Sequence, residues 1–88
     1  MSRTFGIEFS AHAKRQGDKL PQAIKRRIIK AVRRLATDPF PKGVRKLATS
    51  DYYRLRVGDY RIIYEVHKDK LMILAIRIGH RKDVYRST

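Results

Sequence analysis

Residues 53–66 read Y-R-L-R-V-G-D-Y-R-I-I-Y-E-V, and this stretch decides the fold of the chain. Two runs rich in Tyr, Ile and Val flank Gly58-Asp59, a dipeptide that suits a two-residue hairpin turn because glycine takes positive φ without strain. A turn of that length fixes the pairing of the two strands. It predicts that Arg56 lies directly opposite Arg61.

The two faces of this hairpin differ in chemistry, because side chains alternate along a strand. The apolar face comprises Leu55, Val57, Ile62, Tyr64 and Val66. The charged face comprises Arg54, Arg56, Arg61 and Glu65. We therefore expect one face to join the core and the other to form a basic surface.

A third strand is predicted over residues 71–78, joined to the hairpin by a loop of residues 68–70. Its expected core residues are Met72, Leu74, Ile76 and Ile78. This register sets Arg77 opposite Arg61, with Arg81 following the strand. Like charges directly across a sheet repel each other, so the cluster favours an anionic ligand. A solvated basic face is the alternative.

The remaining elements complete an α+β fold in a single domain, residues 1–88. Residues 4–9 alternate as a first strand, residues 11–19 predict a short helix, and residues 42–51 are interpreted as a basic loop. The helix predicted over residues 21–37 carries one apolar stripe, formed by Ile24, Ile28, Ala31, Val32 and Leu35. Its other faces are basic, which predicts contact with RNA phosphates or an acidic partner, or else a merely solvated helix.

The composition points to a nucleic acid, a ribosome or an acidic protein as the partner. The chain has 22 Lys and Arg residues against 8 Asp and Glu, giving a net charge of +14. No run approaches the roughly 20 apolar residues of a membrane-spanning helix. The absence of cysteine excludes disulfides and thiolate ligands, and it fits a cytoplasmic location, which we predict.

The candidate site has no motif for a metal or a cofactor. Phosphate loops, zinc-ligand spacings and nucleophile-histidine-acid sets are all missing from the sequence, so we predict a site that uses neither. Arginines offer planar, permanently charged donors that suit a phosphodiester. If the substrate is RNA, its own 2′-OH can attack the adjacent phosphorus.

Proton transfer in such a reaction needs other groups, because guanidinium titrates above about pH 12. His80, Tyr85 and Glu65 are the candidates near the predicted cluster. His80 is alternatively a surface histidine that strand parity turns away from its neighbours. Tyr85 is either an aromatic plug over the sheet edge or a base-stacking surface, and Glu65 is alternatively an ion-pair partner of an arginine.

The chain resembles the RelE family of bacterial and archaeal type II toxins, within the wider RelE/ParE superfamily. The resemblance rests on Lys46-Leu47, on residues 53–66, and on I-G-H-R-K-D-V-Y at residues 78–85. It implies two N-terminal helices packed on a small twisted mixed sheet. It also implies an mRNA interferase, an endoribonuclease that enters the ribosomal A site and cleaves mRNA there through the 2′-OH without metal.

Matched by position, the resemblance implies catalytic residues at Arg54, Arg56, Arg61, Arg81 and Tyr85. Several relatives carry lysines where this chain has Arg54 and Arg56, and some use a histidine and a glutamate, which keeps His80 as a predicted catalytic residue. The resemblance further implies a cognate antitoxin that covers the basic surfaces. The predicted substrate-binding residues are Arg77, Lys46, Arg45, Arg33 and Lys30.

Two other functions stay open on the sequence. A ParE-type inhibitor of DNA gyrase shares the fold but not the RNA chemistry. A non-enzymatic RNA- or ribosome-binding module, or an inactivated toxin, would keep RNA affinity without cleavage.

Overall fold

Two helices lie against one face of a five-stranded sheet in the computed structural model, which describes residues 4–47 and 52–80. The elements in chain order are β1 (Gly6–Phe9), α1 (Ala11–Asp18), α2 (Gln22–Arg34), β2 (Arg45–Lys46), β3 (Tyr52–Val57), β4 (Tyr60–His67) and β5 (Met72–His80). The strands are ordered β1-β5-β4-β3-β2, with β1 parallel to β5 and the other pairs antiparallel. The predicted α+β architecture on a mixed sheet is confirmed.

The helices begin and end for local reasons. The Ser10 hydroxyl accepts a hydrogen bond from the Ala13 N–H at 3.0 Å and donates one to the Ile76 carbonyl at 3.0 Å, which caps α1 and ties it to β5. Helix α2 ends at Arg34, three residues before the predicted end. Beyond it, Leu35 N–H donates to the Val32 carbonyl, an i to i−3 bond that tightens the last turn.

The core lies between the helices and the sheet, and it uses the predicted apolar stripe of α2. Ile28, Val32 and Leu35 are at most 1% exposed. They pack in one cluster with residues of α1, β4 and β5: Ala13, Ile62, Tyr64, Ile73, Ala75 and Ile78. Burial of this apolar surface is the main force that holds the helices on the sheet.

The hairpin of β3 and β4 has the predicted register. Arg56 pairs with Arg61, Leu55 with Ile62, and the turn residue Gly58 has φ +59°. The five residues predicted for its apolar face all belong to the core or pack against it. Counting from a two-residue turn was therefore sufficient to orient both strands.

The predicted register of β5 was wrong. The loop before it has four residues, Lys68 to Leu71, instead of three, and Leu71 adopts φ 49°. Ile63 pairs with Arg77 while Tyr64 pairs with Ala75, so Ile76 is the extra residue of a β-bulge. After a bulge, odd-numbered and even-numbered side chains exchange the faces of the sheet to which they project.

The bulge also corrects the list of core residues on β5. Ile73 and Ala75 are buried before it and Ile78 after it, whereas Met72, Leu74 and Ile76 are only half-buried. Of the four predicted core residues of this strand, Ile78 alone is in the buried core cluster.

A short edge strand, β2, lies within the segment that was predicted to be a loop. Arg45 pairs with Arg54 and Lys46 with Tyr53, and Leu47 N–H donates to the Tyr52 carbonyl at 2.9 Å. Two residues are too few for an alternating pattern, so β3 and not local sequence defines this strand.

Candidate nucleic-acid interface

The sheet face turned away from the helices carries five of the arginines that the sequence analysis selected. Paired residues in neighbouring strands project to the same face, and the helices cover the face of Ile62 and Tyr64. The opposite face therefore receives one or two arginines from each of four strands. We call Arg45, Arg54, Arg56, Arg61 and Arg77 the arginine face.

Two rows of like charge cross the arginine face. Arg56 is directly opposite Arg61, and Arg45 is directly opposite Arg54. Directly opposite residues have Cβ atoms about 4.5–5.5 Å apart, and like charges at that separation destabilise a sheet. An anion between them would convert this repulsion into attraction.

Arg77 does not face Arg61 as predicted. Gly79 lies opposite Arg61 and Ile63 lies opposite Arg77, because of the longer loop and the bulge on β5. Arg77 is thus a diagonal neighbour of Arg61 on the same face, at about 7–8 Å. It remains on the arginine face, but one row away from the Arg56 and Arg61 pair.

Arg61 has the most unusual environment of the arginines. It is only 6% exposed, and its Nε and Nη1 atoms are buried without a hydrogen-bond partner in the described part of the chain. A buried polar group left unpaired costs about 1–3 kcal/mol, and more when it is charged. This cost makes Arg61 a candidate anion-binding residue.

A groove of about 480 Å³ opens beside Arg61. Its lining is basic or apolar, with Lys42, Gly43, Arg45, Arg54, Leu55, Arg56 and Arg61. Gly43 has φ +94°, a conformation that glycine adopts readily and that shapes the turn leading into β2. We call this the arginine groove. Its donors suit the non-bridging oxygens of a phosphate.

Lys42 is a groove residue to which the sequence analysis assigned no role. It was placed in a basic loop, and only the pairing of β2 with β3 brings that loop to the arginine groove. The sequence feature that could have indicated Lys42 was its proximity to Arg45. Arg45 was predicted to bind substrate and lines the groove.

His80 and Glu65, the predicted proton-transfer residues within the described part of the chain, are not in the lining of the groove. His80 is paired with Tyr60 on the helix-covered side, with the two ring centroids 5.6 Å apart. Glu65 is on the same face as Arg61, but four residues along a strand separate them by about 13 Å. Its carboxylate lies 3.3 Å from the His67 ring nitrogen, and Glu65 is a diagonal neighbour of Arg54, because Tyr52 pairs with Glu65 and Arg54 with Ile63.

The other predicted binding residues are dispersed. Lys30 and Arg33 are exposed on α2, on the opposite side of the sheet from the arginine face. Lys46 projects to the helix side of β2, opposite Tyr53. Arg81 and Tyr85 lie outside the described residues.

Residues 4–47 and 52–80 contain no group of three His, Cys, Asp or Glu side chains able to hold a metal ion. Nor does any helix in this part of the chain have the length and apolar character needed to cross a membrane.

Comparison with known proteins gives a consistent set of relatives. Residues 7–85 match the model of a family described as the ParE toxin of the type II toxin-antitoxin system parDE. Toxin RelG of Mycobacterium tuberculosis is 29% identical over 86 residues, covering 93% of this chain and 97% of the relative.

Solved structures show the same fold. The archaeal RelE-RelB complex from Pyrococcus horikoshii contains a chain with TM-score 0.79 and 31% identity, covering 89% of this chain and 96% of that one. A free Escherichia coli RelE mutant has TM-score 0.80 at 20% identity, covering 94% and 92% of the two chains. The second likeness supports the fold alone.

Proposed function

This chain belongs to the ParE toxin family of type II toxin-antitoxin systems, within the RelE/ParE superfamily, and we propose that it is an endoribonuclease that cleaves mRNA in the ribosomal A site. The single observation that carries the proposal is the state of Arg61. Its guanidinium is buried at the arginine groove with two donor atoms unpaired among the described residues. A phosphodiester in the groove would provide the missing oxygens once the guanidinium turns outward toward it.

In the proposed reaction the RNA is its own nucleophile. The 2′-oxygen bonds to the adjacent phosphorus and the bond from phosphorus to the 5′-oxygen breaks, leaving a 2′,3′-cyclic phosphate and a 5′-hydroxyl. Arg54, Arg56 and Arg61 bind the non-bridging oxygens, align the linkage and stabilise the charge on the phosphorane. None of these steps requires a metal.

The two proton movements need a group other than arginine, because guanidinium stays protonated. His80 lies on the helix-covered side of the sheet, away from the groove, whereas Glu65 is on the arginine face, diagonal to Arg54. Glu65, Tyr85 and the RNA of the ribosome are the candidate sources, and Tyr85 lies beyond the described residues. A proton-transfer group supplied by ribosomal RNA would make the reaction depend on the ribosome.

The basic outer surface of α2 also supports a ribosomal substrate. Arg26, Arg27, Lys30, Arg33 and Arg34 are exposed there, and the helix contains no acidic residue. Since this surface and the arginine face lie on opposite sides of the sheet, a single RNA strand would not reach both. We propose that Lys30 and Arg33 contact ribosomal RNA while mRNA occupies the arginine groove.

We also propose a cognate antitoxin as a partner and the cytoplasm as the location. The Pyrococcus relative was crystallised as a RelE-RelB complex. A net charge of +14 would attract an acidic antitoxin, and binding over the arginine face would block access of mRNA.

The direct test uses purified protein, ribosomes programmed with a defined message, and primer extension to locate cuts. We expect cleavage at the A-site codon and no cleavage of the same message without ribosomes. Arg61→Ala should lower the cleavage rate about 10²–10³-fold, the usual effect of removing one charge-stabilising donor.

Arg15→Ala is the matched control, because it removes the same charge from an exposed position on α1. It should cleave at nearly the wild-type rate. Intact message after incubation with wild-type protein would refute the proposal. Equal losses in the two variants would show that net charge matters and the groove does not. Binding to RNA without cleavage would favour the non-enzymatic module.

A second candidate function is inhibition of DNA gyrase, because the matching family model carries the ParE name. Expression in growing cells separates the two functions. Gyrase poisoning gives DNA damage with intact mRNA, whereas the proposed nuclease gives cut mRNA first.

A further inference from the structure

A second groove lies on the other side of β2. It has a volume of about 450 Å³ and is lined by Phe40, Lys46, Tyr53, Val66, His67, Lys68 and Asp69. We propose that this aromatic groove holds one unpaired nucleobase of the RNA whose phosphates occupy the arginine groove. The inference rests on the proposed function and adds a substrate-binding subsite to it.

Phe40 is the central residue of this subsite. It is 42% exposed, which is unusual for a phenylalanine, yet it is held in place. Proline on each side restricts the backbone, and the Phe40 N–H donates to Asp38 Oδ1 at 3.3 Å. The carbonyl before it, at Pro39, accepts from the buried Tyr64 hydroxyl at 2.6 Å. A ring that is both exposed and fixed loses little entropy on binding.

The ring is the outer member of an aromatic row. Phe40 meets Tyr53 with centroids 5.0 Å apart at 60°, and Tyr53 stacks on Tyr64 at 5.8 Å and 29°. Tyr64 is completely buried, so the row is anchored in the core. Aromatic side chains on such a support form the stacking platforms that bind bases of single-stranded nucleic acid.

Cations surround the aromatic groove and supply contacts for the backbone of the bound strand. Lys68 Nζ lies over the Phe40 ring, 5.4 Å from its centroid, and Lys46 lines the same groove. A base that stacks on this ring face displaces the flexible Lys68 side chain toward a phosphate of the strand. Asp69 is the acidic member of the lining. An apolar anchor of a protein partner would prefer a pocket with fewer charges, so the lining favours a base.

The two grooves are joined by the shortest strand of the sheet. On β2, Arg45 lies opposite Arg54 and lines the arginine groove, while the next residue, Lys46, lies opposite Tyr53 and lines the aromatic groove. Successive residues are only about 3.3 Å apart along a strand. A single RNA strand that bends around this edge can therefore place a phosphate in one groove and a neighbouring base in the other.

The test is a double-mutant cycle between Phe40 and the bases of a short, fluorescein-labelled single-stranded RNA with 2′-O-methyl groups that prevent cleavage. Anisotropy gives the affinity for the intact oligonucleotide and for versions with one abasic position each. For wild type, we expect one abasic position to weaken binding about 5- to 100-fold, as loss of one stacked base does. In Phe40→Leu, binding of the intact RNA should fall by a similar factor, and that position should no longer matter.

Two variants complete the design. Phe5→Leu removes a ring at the opposite edge of the sheet, next to β1, and should retain the wild-type abasic profile. Phe40→Trp enlarges the stacking surface and should tighten binding a few-fold, which keeps the test decisive if Phe40→Leu folds poorly.

A flat abasic profile in wild type, no binding of the oligonucleotide, or the same positional penalty in Phe40→Leu would overturn the inference. Binding of an acidic peptide, but not of RNA, at Phe40 would also overturn the inference. Ribosomal cleavage is measured separately. If the protein cleaves mRNA but Phe40 shows no coupling to an abasic position, only the proposed base subsite is refuted. If the coupling is present but mRNA stays intact, only the proposed nuclease activity is refuted.

Discussion

The two faces of the sheet are built from alternate residues of the same strands, yet burial of a side chain has opposite effects on stability on the two faces. Arg61 and Ile62 are adjacent on β4 and are both buried, at 6% and 0% exposure. Ile62 enters the apolar cluster beneath the helices, where burial stabilises the fold. Arg61 is buried with two donors that have no partner among the described residues, and burial of unpaired donors destabilises the fold. The comparison separates residues that hold the structure from residues that we propose bind RNA.

The strongest test of the helix-covered face is Ile62→Ala. It should lower the free energy of unfolding by about 3 kcal/mol, because a fully buried isoleucine leaves a cavity in a packed core. Urea unfolding measures the loss. Ile29→Ala is the control, since Ile29 is only half-buried on α2 and should cost clearly less. Equal losses at the two positions would mean that the sheet side of the core is not the main source of stability.

The matching test of the open face is Arg61→Met, which should change stability in the opposite direction. Methionine fills similar space without the unpaired charge, so we expect a gain of about 1–3 kcal/mol. For a domain of this size, each kcal/mol corresponds to a rise in Tm of about 4–8 °C. Thermal unfolding checks this, together with loss of ribosomal cleavage.

Arg56→Met is the control for that experiment. Arg56 lies opposite Arg61 but is exposed, so its replacement should alter stability by no more than about 0.5 kcal/mol. A destabilised Arg61→Met protein would show that Arg61 supports the fold, and the contrast between the faces would fail.

How far the sequence predicted these faces depends on the type of connection between strands. The two-residue turn at Gly58-Asp59 fixed the register of β3 and β4, so Arg54, Arg56 and Arg61 were placed on one face correctly. The run from Leu71 to Ile78 is apolar on both parities except at Arg77. Nothing in such a run indicates a bulge, so the predicted pairing of Arg77 was wrong.

The sequence predicted which arginines share the site better than it predicted their burial and their contacts. The burial of Arg61, and of its two nitrogens that have no partner in the described ranges, depends on packing that no local pattern encodes. The aromatic row was not predictable either, because Phe40 and Tyr53 are separated in the chain by β2 and are brought together only by the folded structure. Alternation predicts the face of a residue, whereas contacts distant in sequence decide its exposure and its partners.

The mildest test concerns Tyr64, a fully buried residue of the helix-covered face that carries a polar hydroxyl. Tyr64→Phe removes its 2.6 Å hydrogen bond to the Pro39 carbonyl and should cost about 1 kcal/mol at neutral pH.

Burial, and then the nearby Tyr53 and Asp38, raise the pKa of Tyr64 above its ordinary value of about 10. The unfolded chain therefore loses this proton at lower pH than the folded protein does. The stabilising effect of the hydroxyl is complete below about pH 10 and declines as the pH rises toward the folded-state pKa. Phenylalanine has no such proton, so the deficit of Tyr64→Phe should shrink between neutral pH and about pH 11. Paired urea titrations of the two proteins isolate this difference from the other titrating groups, and a constant deficit over that range would show that Tyr64 titrates normally in the folded protein.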